Sequence, residues 1–323
     1  TMACQKEEYL KGIDQATLFA PPTAAELAAV RADWQARTLP PTAYQEEQRI
    51  TLPQGAVLHF VSYRVGLHKA YGAVLLPSAA SGLPVHVLIN GFDLNNQVNT
   101  VNLVQSPPGN GGPEPPVLVI PALPGQSLAI TANGQTYTSA VSEASFNSAF
   151  DGAADDALAL LNCVLTNFPQ TDASRIGVRG GSRGGTVALL MAERDRRIKR
   201  VVSVVGPTNL LQLTQSHQQD PTYQFQFLQA LKSGQETIAQ ARQRLLASSP
   251  VYFCETLPLT QTHFGAEDKI VPPQQGEQLQ ARLQAMGLAG QLEYYVYAGR
   301  THTTVASNNP SFTSRIDAFL QAL

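Results

Sequence analysis

An α/β fold, with a mostly parallel central sheet and helices on both faces, is what this 323-residue sequence predicts. Three observations carry the prediction. Short apolar runs at 85–89 and 117–120 read as strands of the buried type, covered on both faces, and 200–206 reads as a further strand. Strand-like runs alternate with helix-period stretches along the chain, as in a sheet built by crossovers. Residues 175–191 read as strand, sharp glycine-lined turn and helix, with Val187, Leu190 and Met191 at helical spacing after the turn.

Composition narrows the functional classes. Lys and Arg number 22 against 24 Asp and Glu, and no basic run is present that would track phosphates, so nucleic acid is not an expected partner. No apolar stretch approaches the roughly 20 residues of a membrane span, and no transmembrane segment is expected. Three cysteines, Cys4, Cys163 and Cys254, are too few for a disulfide scaffold and lack metal-ligand spacing. Neither a metal nor an organic cofactor is expected, and whether Cys163 and Cys254 pair stays open. Cys4 follows Thr1-Met2-Ala3; a small residue before a near-terminal cysteine is the pattern of a processed bacterial lipoprotein, and an ordinary terminal cysteine fits equally well. The first reading carries a lipid anchor at Cys4 and an extracytoplasmic location. Oligomeric state has no signature.

In chain order, residues 1–47 read as an N-terminal extension with one helix, since Pro21-Pro22 and Pro40-Pro41 bracket it and no strand-like run occurs. Thr23 caps a helix over 24–37 whose Leu27, Val30 and Trp34 share a face for docking. The domain at 48–323 begins with strands at 49–52, 57–64 and 70–76, the antiparallel edge of the sheet. The strand at 85–89 ends in Asn90-Gly91-Phe92-Asp93. Residues 105–116 form a long Pro- and Gly-rich loop, and Asn133-Gly134 supplies the turn of a hairpin over 128–138. A helix at 151–168 places Asp151, Asp155 and Asp156 near its positive end. Residues 207–250 read as a helical cap insert with Tyr223, Phe225 and Phe227, which either line an apolar pocket or pack the cap down. A polar strand at 259–264, a helix at 275–286 and a strand at 292–297 complete the sheet.

The chemistry concentrates at the turn. Gly180-x-Ser182-x-Gly184 is the nucleophile-elbow pattern, in which a strained serine needs neighbours without Cβ atoms, two before and two after; Gly181 and Gly185 relax the crowding further. A serine there needs a base and an acid. Of six histidines only His302 lies beyond the last strand; His59, His68, His86, His217 and His263 read as structural. The loop 265–272 offers Asp268 as the acid, with Glu267 its neighbouring rival. The oxyanion donors are expected to be the main-chain amides of Phe92 and Arg183, the Phe92 loop having a plain structural turn as its other reading.

The order Ser182, Asp268, His302 resembles that of α/β-hydrolases. Asp172-x-x-Arg175-Ile176-Gly177 leading into Gly180-Gly181-Ser182, with Gly265-x-x-Asp268-x-x-Val271-Pro272, is similar to prolyl oligopeptidase catalytic domains and acetyl xylan esterases over about residues 48 to 323. The resemblance implies an α/β-hydrolase fold and a serine hydrolase that cleaves carboxylic esters of small molecules through an acyl-enzyme. It departs at Asn90-Gly91, where many relatives carry a histidine before the glycine, and at Arg183, expected to alter leaving-group or acyl-side preference. The alternatives are a prolyl oligopeptidase-like peptidase, against which the sequence has no long N-terminal repeat region that could form a propeller, and a non-catalytic binding module on the same fold.

Overall fold

The computed structural model describes residues 10–78, 81–91, 98–103, 115–144, 149–219 and 228–323. Its strands are β1 (Thr42–Thr51), β2 (Val57–Val65), β3 (His68–Leu76), β4 (Leu83–Ile89), β5 (Val98–Leu103), β6 (Val117–Ala122), β7 (Ser127–Ala132), β8 (Gln135–Thr138), β9 (Thr171–Gly181), β10 (Ile198–Val204), β11 (Leu259–Gly265) and β12 (Leu292–Tyr297). The helices are α1 (Gln15–Leu18), α2 (Ala24–Ala36), α3 (Asp151–Asn167), α4 (Arg183–Arg194), α5 (Leu210–Ser216), α6 (Gln229–Lys232), α7 (Ile238–Ala247), α8 (Gln274–Ala285) and α9 (Pro310–Gln321). Among these residues no helix is long and apolar enough to cross a membrane.

Nine strands form one sheet in the order β1-β2-β3-β6-β4-β9-β10-β11-β12. Antiparallel pairing joins β1, β2, β3 and β6, and every pair from β6 to β12 is parallel. This is the α/β-hydrolase fold, a mostly parallel sheet between helices. The apolar runs mark its middle: Val85, Val87, Ile89, Ile176, Val178, Val201 and Val202 are all buried. At the antiparallel edge β1 begins at Thr42, within the stretch expected to precede the sheet, and its side chains are mostly exposed. A strand bare on both faces has no apolar alternation to announce it.

The polar strand β11 is interior despite its composition. Thr260, Gln261, Thr262 and His263 are all buried between β10 and β12. Such a strand requires internal partners: His263 Nδ1 lies 2.9 Å from the Tyr297 hydroxyl, and Gln261 Nε2 donates to Glu293 at 2.7 Å. Burial pushes the His263 pKa down to about 3, and that of His86 to about 4.

A second sheet, β5-β7-β8, joins parallel β5 and β7 to antiparallel β8. The expected hairpin is β7-β8, with Asn133 (φ 52°) and Gly134 (φ 76°) both left-handed at the turn, as a two-residue hairpin with matching twist requires.

The N-terminal helices are welded to the body. Thr23 and Glu26 make a reciprocal capping box at the start of α2, a device worth about 1 kcal/mol. Val30 shares the main core with β4, β9 and α4. Of the α3 carboxylates, Asp151 lies in the first turn, and Asp151 and Asp155 also receive this segment and the end of α4. Asp151 accepts from Trp34 Nε1 and Arg37 at 2.8 Å, Asp155 pairs with Arg37 at 3.1 Å and with Arg194, and Asp156 is fully buried against His68. The insert at 207–250 contributes α5, α6 and α7, and Arg242 of α7 binds Glu26 and the carbonyls of Thr17, Leu18 and Ala20. Tyr223, Phe225 and Phe227 lie outside the described residues, as does Cys4. Cys163 and Cys254 are buried free thiols, pushed by burial up to about 11 and 12.

Candidate active site

Ser182 caps α4 with φ 51° and ψ −123°, a conformation that costs a non-glycine residue on the order of 1–3 kcal/mol. The surrounding glycines make it feasible. A Cβ on Gly180 would overlap the Gly184 carbonyl, and one on Gly184 would overlap the Ile89 carbonyl and stand 2.7 Å from that of Asn90. On Gly185 it would meet Ser203 Oγ at 2.6 Å, whereas on Gly181 it would have nothing within 4 Å among the described residues, none of which sterically requires that glycine. The turn is held from below by Ser182 N donating to Val204 O at 2.7 Å. The next residue, Val205, takes φ 47°, an outlier for a β-branched side chain, and donates to His263 O at 2.8 Å. Strain therefore sits on both chains that meet beneath the serine.

Helix α4 does more than lay one face on the sheet, as its spacing predicts. Residues 183–193 are all buried, between β9 and β10 on one side and α3 on the other.

Three loops bring the sequence-predicted side chains into series. His302 Nε2 stands 2.9 Å from Ser182 Oγ, and His302 Nδ1 is 2.8 Å from Asp268 Oδ2. Asp268 Oδ1 accepts from the amides of Ile270 and Val271, each at 2.9 Å. Those two donors fix the carboxylate and separate it from its neighbour: Asp268 is 4% exposed, while Glu267 faces solvent. Main-chain bonds then staple the acid loop to the histidine loop, Glu267 N to Arg300 O at 2.8 Å and Ala266 N to Tyr297 O at 3.0 Å. Gly265 permits the approach, since a Cβ there would overlap the Arg300 carbonyl.

Asn90-Gly91 reaches the serine from β4; a Cβ built on Gly91 would lie 3.3 Å from Ser182 Cβ. Phe92, the expected donor in that loop, lies outside the described residues. Arg183 opens α4, but its side chain is 2% exposed and donates to Gln126 Oε1 at 3.0 Å. The guanidinium is thus an interior group. Burial lowers its pKa to about 9, opposed by the field of Asp156, so it remains charged at neutral pH. Gln126 has no motif around it and was not legible as part of the site.

Fold and site define an α/β-hydrolase-fold serine hydrolase. A solved acetyl xylan esterase from Paenibacillus sp. R4 is similar at a TM-score of 0.61 and 17% identity, over 96% of this chain and 99% of that one. Acetyl Xylan Esterase 1 from Thermoanaerobacterium sp. JW/SL YS485 gives 0.59 and 16%, over 92% of each. The Pyrococcus horikoshii acylaminoacyl peptidase gives 0.51 and 14%, over 86% of this chain and 50% of that one. At such identities the likeness is one of fold. No curated protein sequence matches the chain. The prolyl oligopeptidase family model matches residues 131–323, more than half of the sequence, and the chain belongs to that family.

Proposed function

We propose that the chain hydrolyses carboxylic esters of small molecules, with Ser182 as nucleophile, His302 as general base and Asp268 as its orienting acid. The observation that carries the reading is the hydrogen-bonded series from Ser182 Oγ through His302 to Asp268. With Nδ1–H donated to the carboxylate, Nε2 is left to accept the serine proton. The Ser182 alkoxide attacks the ester carbonyl, and the Arg183 amide, with that of Phe92 as the sequence predicts, holds the oxyanion at about 3 Å. The imidazolium returns its proton to the departing alcohol. Water, deprotonated by the same nitrogen, then releases the acid and regenerates Ser182.

Esters are favoured over peptides because the likeness to the two acetyl xylan esterases is higher, at TM-scores of 0.61 and 0.59 over 96% and 92% of this chain, than that to the acylaminoacyl peptidase, at 0.51 over 86%. The family match favours a peptidase as the second reading. The test is turnover of p-nitrophenyl esters graded by acyl length against aminoacyl and prolyl anilides, with covalent labelling by a fluorophosphonate. Ester turnover with one label on Ser182 is expected, and Ser182→Ala should abolish labelling and lower turnover by roughly 10⁴-fold or more. Anilide turnover exceeding ester turnover selects the peptidase. An unlabelled, inactive protein selects the non-catalytic reading.

A further inference from the structure

Resting on the hydrolase reading, the question is what keeps the oxyanion donor in place. The Arg183 amide is at the first turn of α4, while its long side chain runs into the interior. There it meets Gln126, 1% exposed, whose main chain is fixed on both sides: its amide donates to Leu123 O and its carbonyl accepts from Ser142 N, each at 2.9 Å. The opposing charge comes from Asp156 of α3, fully buried, with Oδ1 2.8 Å from His68 Nε2. A buried guanidinium hydrogen-bonded to Gln126, in the field of Asp156, has little freedom, and the residue that carries it inherits the restriction.

Gln126 directly precedes β7. On the other flank of Ser182, Asn90 Nδ2 donates to Thr100 O of β5 at 3.3 Å. Strands β5 and β7 are parallel neighbours, with Thr100 opposite Ala129. The two segments that approach the serine from either side, the loop after β4 and the start of α4, are therefore tied to the same small sheet.

We propose that Gln126 is a positioning residue for the reaction: by holding the Arg183 guanidinium it sets the Arg183 amide at the oxyanion, with the β5-β7-β8 sheet as the frame. An oxyanion donor works only within a few tenths of an ångström of its ideal distance, and a displacement of about 1 Å costs on the order of a hundredfold in rate. A link serving stability alone would instead change how much protein folds, leaving each folded molecule fully active.

The experiment uses the full chain as Gln126→Leu, Gln126→Glu and Arg183→Lys, with active sites counted by fluorophosphonate labelling run to completion. Expected for Gln126→Leu is a kcat per labelled site roughly 10- to 100-fold lower. Its KM for p-nitrophenyl acetate should stay within about twofold, and the affinity for a trifluoromethyl ketone, which mimics the tetrahedral state, should fall in step with kcat. Gln126→Glu re-pairs the guanidinium and should return kcat to within about threefold of the parent. Wild-type kcat per labelled site in Gln126→Leu, with only the labelled fraction or Tm reduced, overturns the proposal. If Gln126→Leu does not fold, Arg183→Lys decides: it keeps the charge but loses the planar fork, so a lowered kcat supports the proposal and an unchanged kcat overturns it. A parent that neither labels at Ser182 nor turns over esters is a different result, which removes the hydrolase reading and this inference with it.

Discussion

Helix α4 ends in two polar clusters that solve the same problem differently. At its N-terminus the carboxylate of Asp268 is buried yet fully engaged, by His302 and the amides of Ile270 and Val271. At its C-terminus Glu193 is 8% exposed, and neither of its carboxyl oxygens has a hydrogen-bond partner among the described residues. Burial, reinforced by the nearby charge of Glu255, pushes its pKa well above the ordinary carboxyl range, so Glu193 is a neutral acid under conditions in which a solvated glutamate is charged. The comparison teaches that burial alone does not prepare a carboxylate for chemistry. Directed donors do, because they fix its orientation as well as its environment.

The largest effect is expected from breaking the engaged cluster. Asp268→Asn should lower kcat by about 10³- to 10⁴-fold with Tm nearly unchanged, because the amide fits but favours the wrong imidazole tautomer. Glu267→Gln, one residue away and exposed, should stay within about twofold. Steady-state kinetics beside thermal melts check both.

Next come the glycines that let the helix start where it does. Gly184→Ala should destabilise by about 3 kcal/mol or more, since the new methyl overlaps fixed carbonyls of Ile89 and Asn90. Gly181→Ala should cost no more than about 1 kcal/mol, as nothing among the described residues lies within 4 Å of the added atom. Urea unfolding midpoints measure the difference.

The smallest effect sharpens the other end. Below the ordinary glutamate value of 4.5, folded and unfolded chains both hold the Glu193 proton. As pH rises the unfolded chain releases it and the folded chain retains it, so stability is lost until pH passes the raised folded value. Glu193→Gln removes that dependence. Its Tm should match the parent near pH 4 and exceed it progressively toward pH 8, by roughly 2–4 °C for each kcal/mol recovered.

What the sequence disclosed and withheld follows from the range of the interactions. The elbow was legible because its requirements are local: strand, glycines two before and two after, helix. Strand–helix alternation gave the sheet, and the position of His302 past the last strand marked it among six histidines. The loop offered Asp268 ahead of Glu267, but the amides of Ile270 and Val271 that fix its carboxylate have directions no pattern encodes. Strand β5 and the exposed start of β1 lacked apolar alternation. Gln126 meets Arg183 across 57 residues, and Asp151 meets Trp34 across 117, in pairings that only the folded chain makes.

The staple between the acid and histidine loops reduces the site to two rigid parts. One carries the hydroxyl at the head of α4; the other carries imidazole and carboxylate together, locked by Glu267 N to Arg300 O and by the close pass of Gly265. Fluctuation of the sheet at that end then acts on a single gap, the one between Ser182 Oγ and His302 Nε2. Heating should widen that gap before it separates the imidazole from its carboxylate, so reversible loss of turnover would precede any disorder in the hydrogen bond between His302 and Asp268.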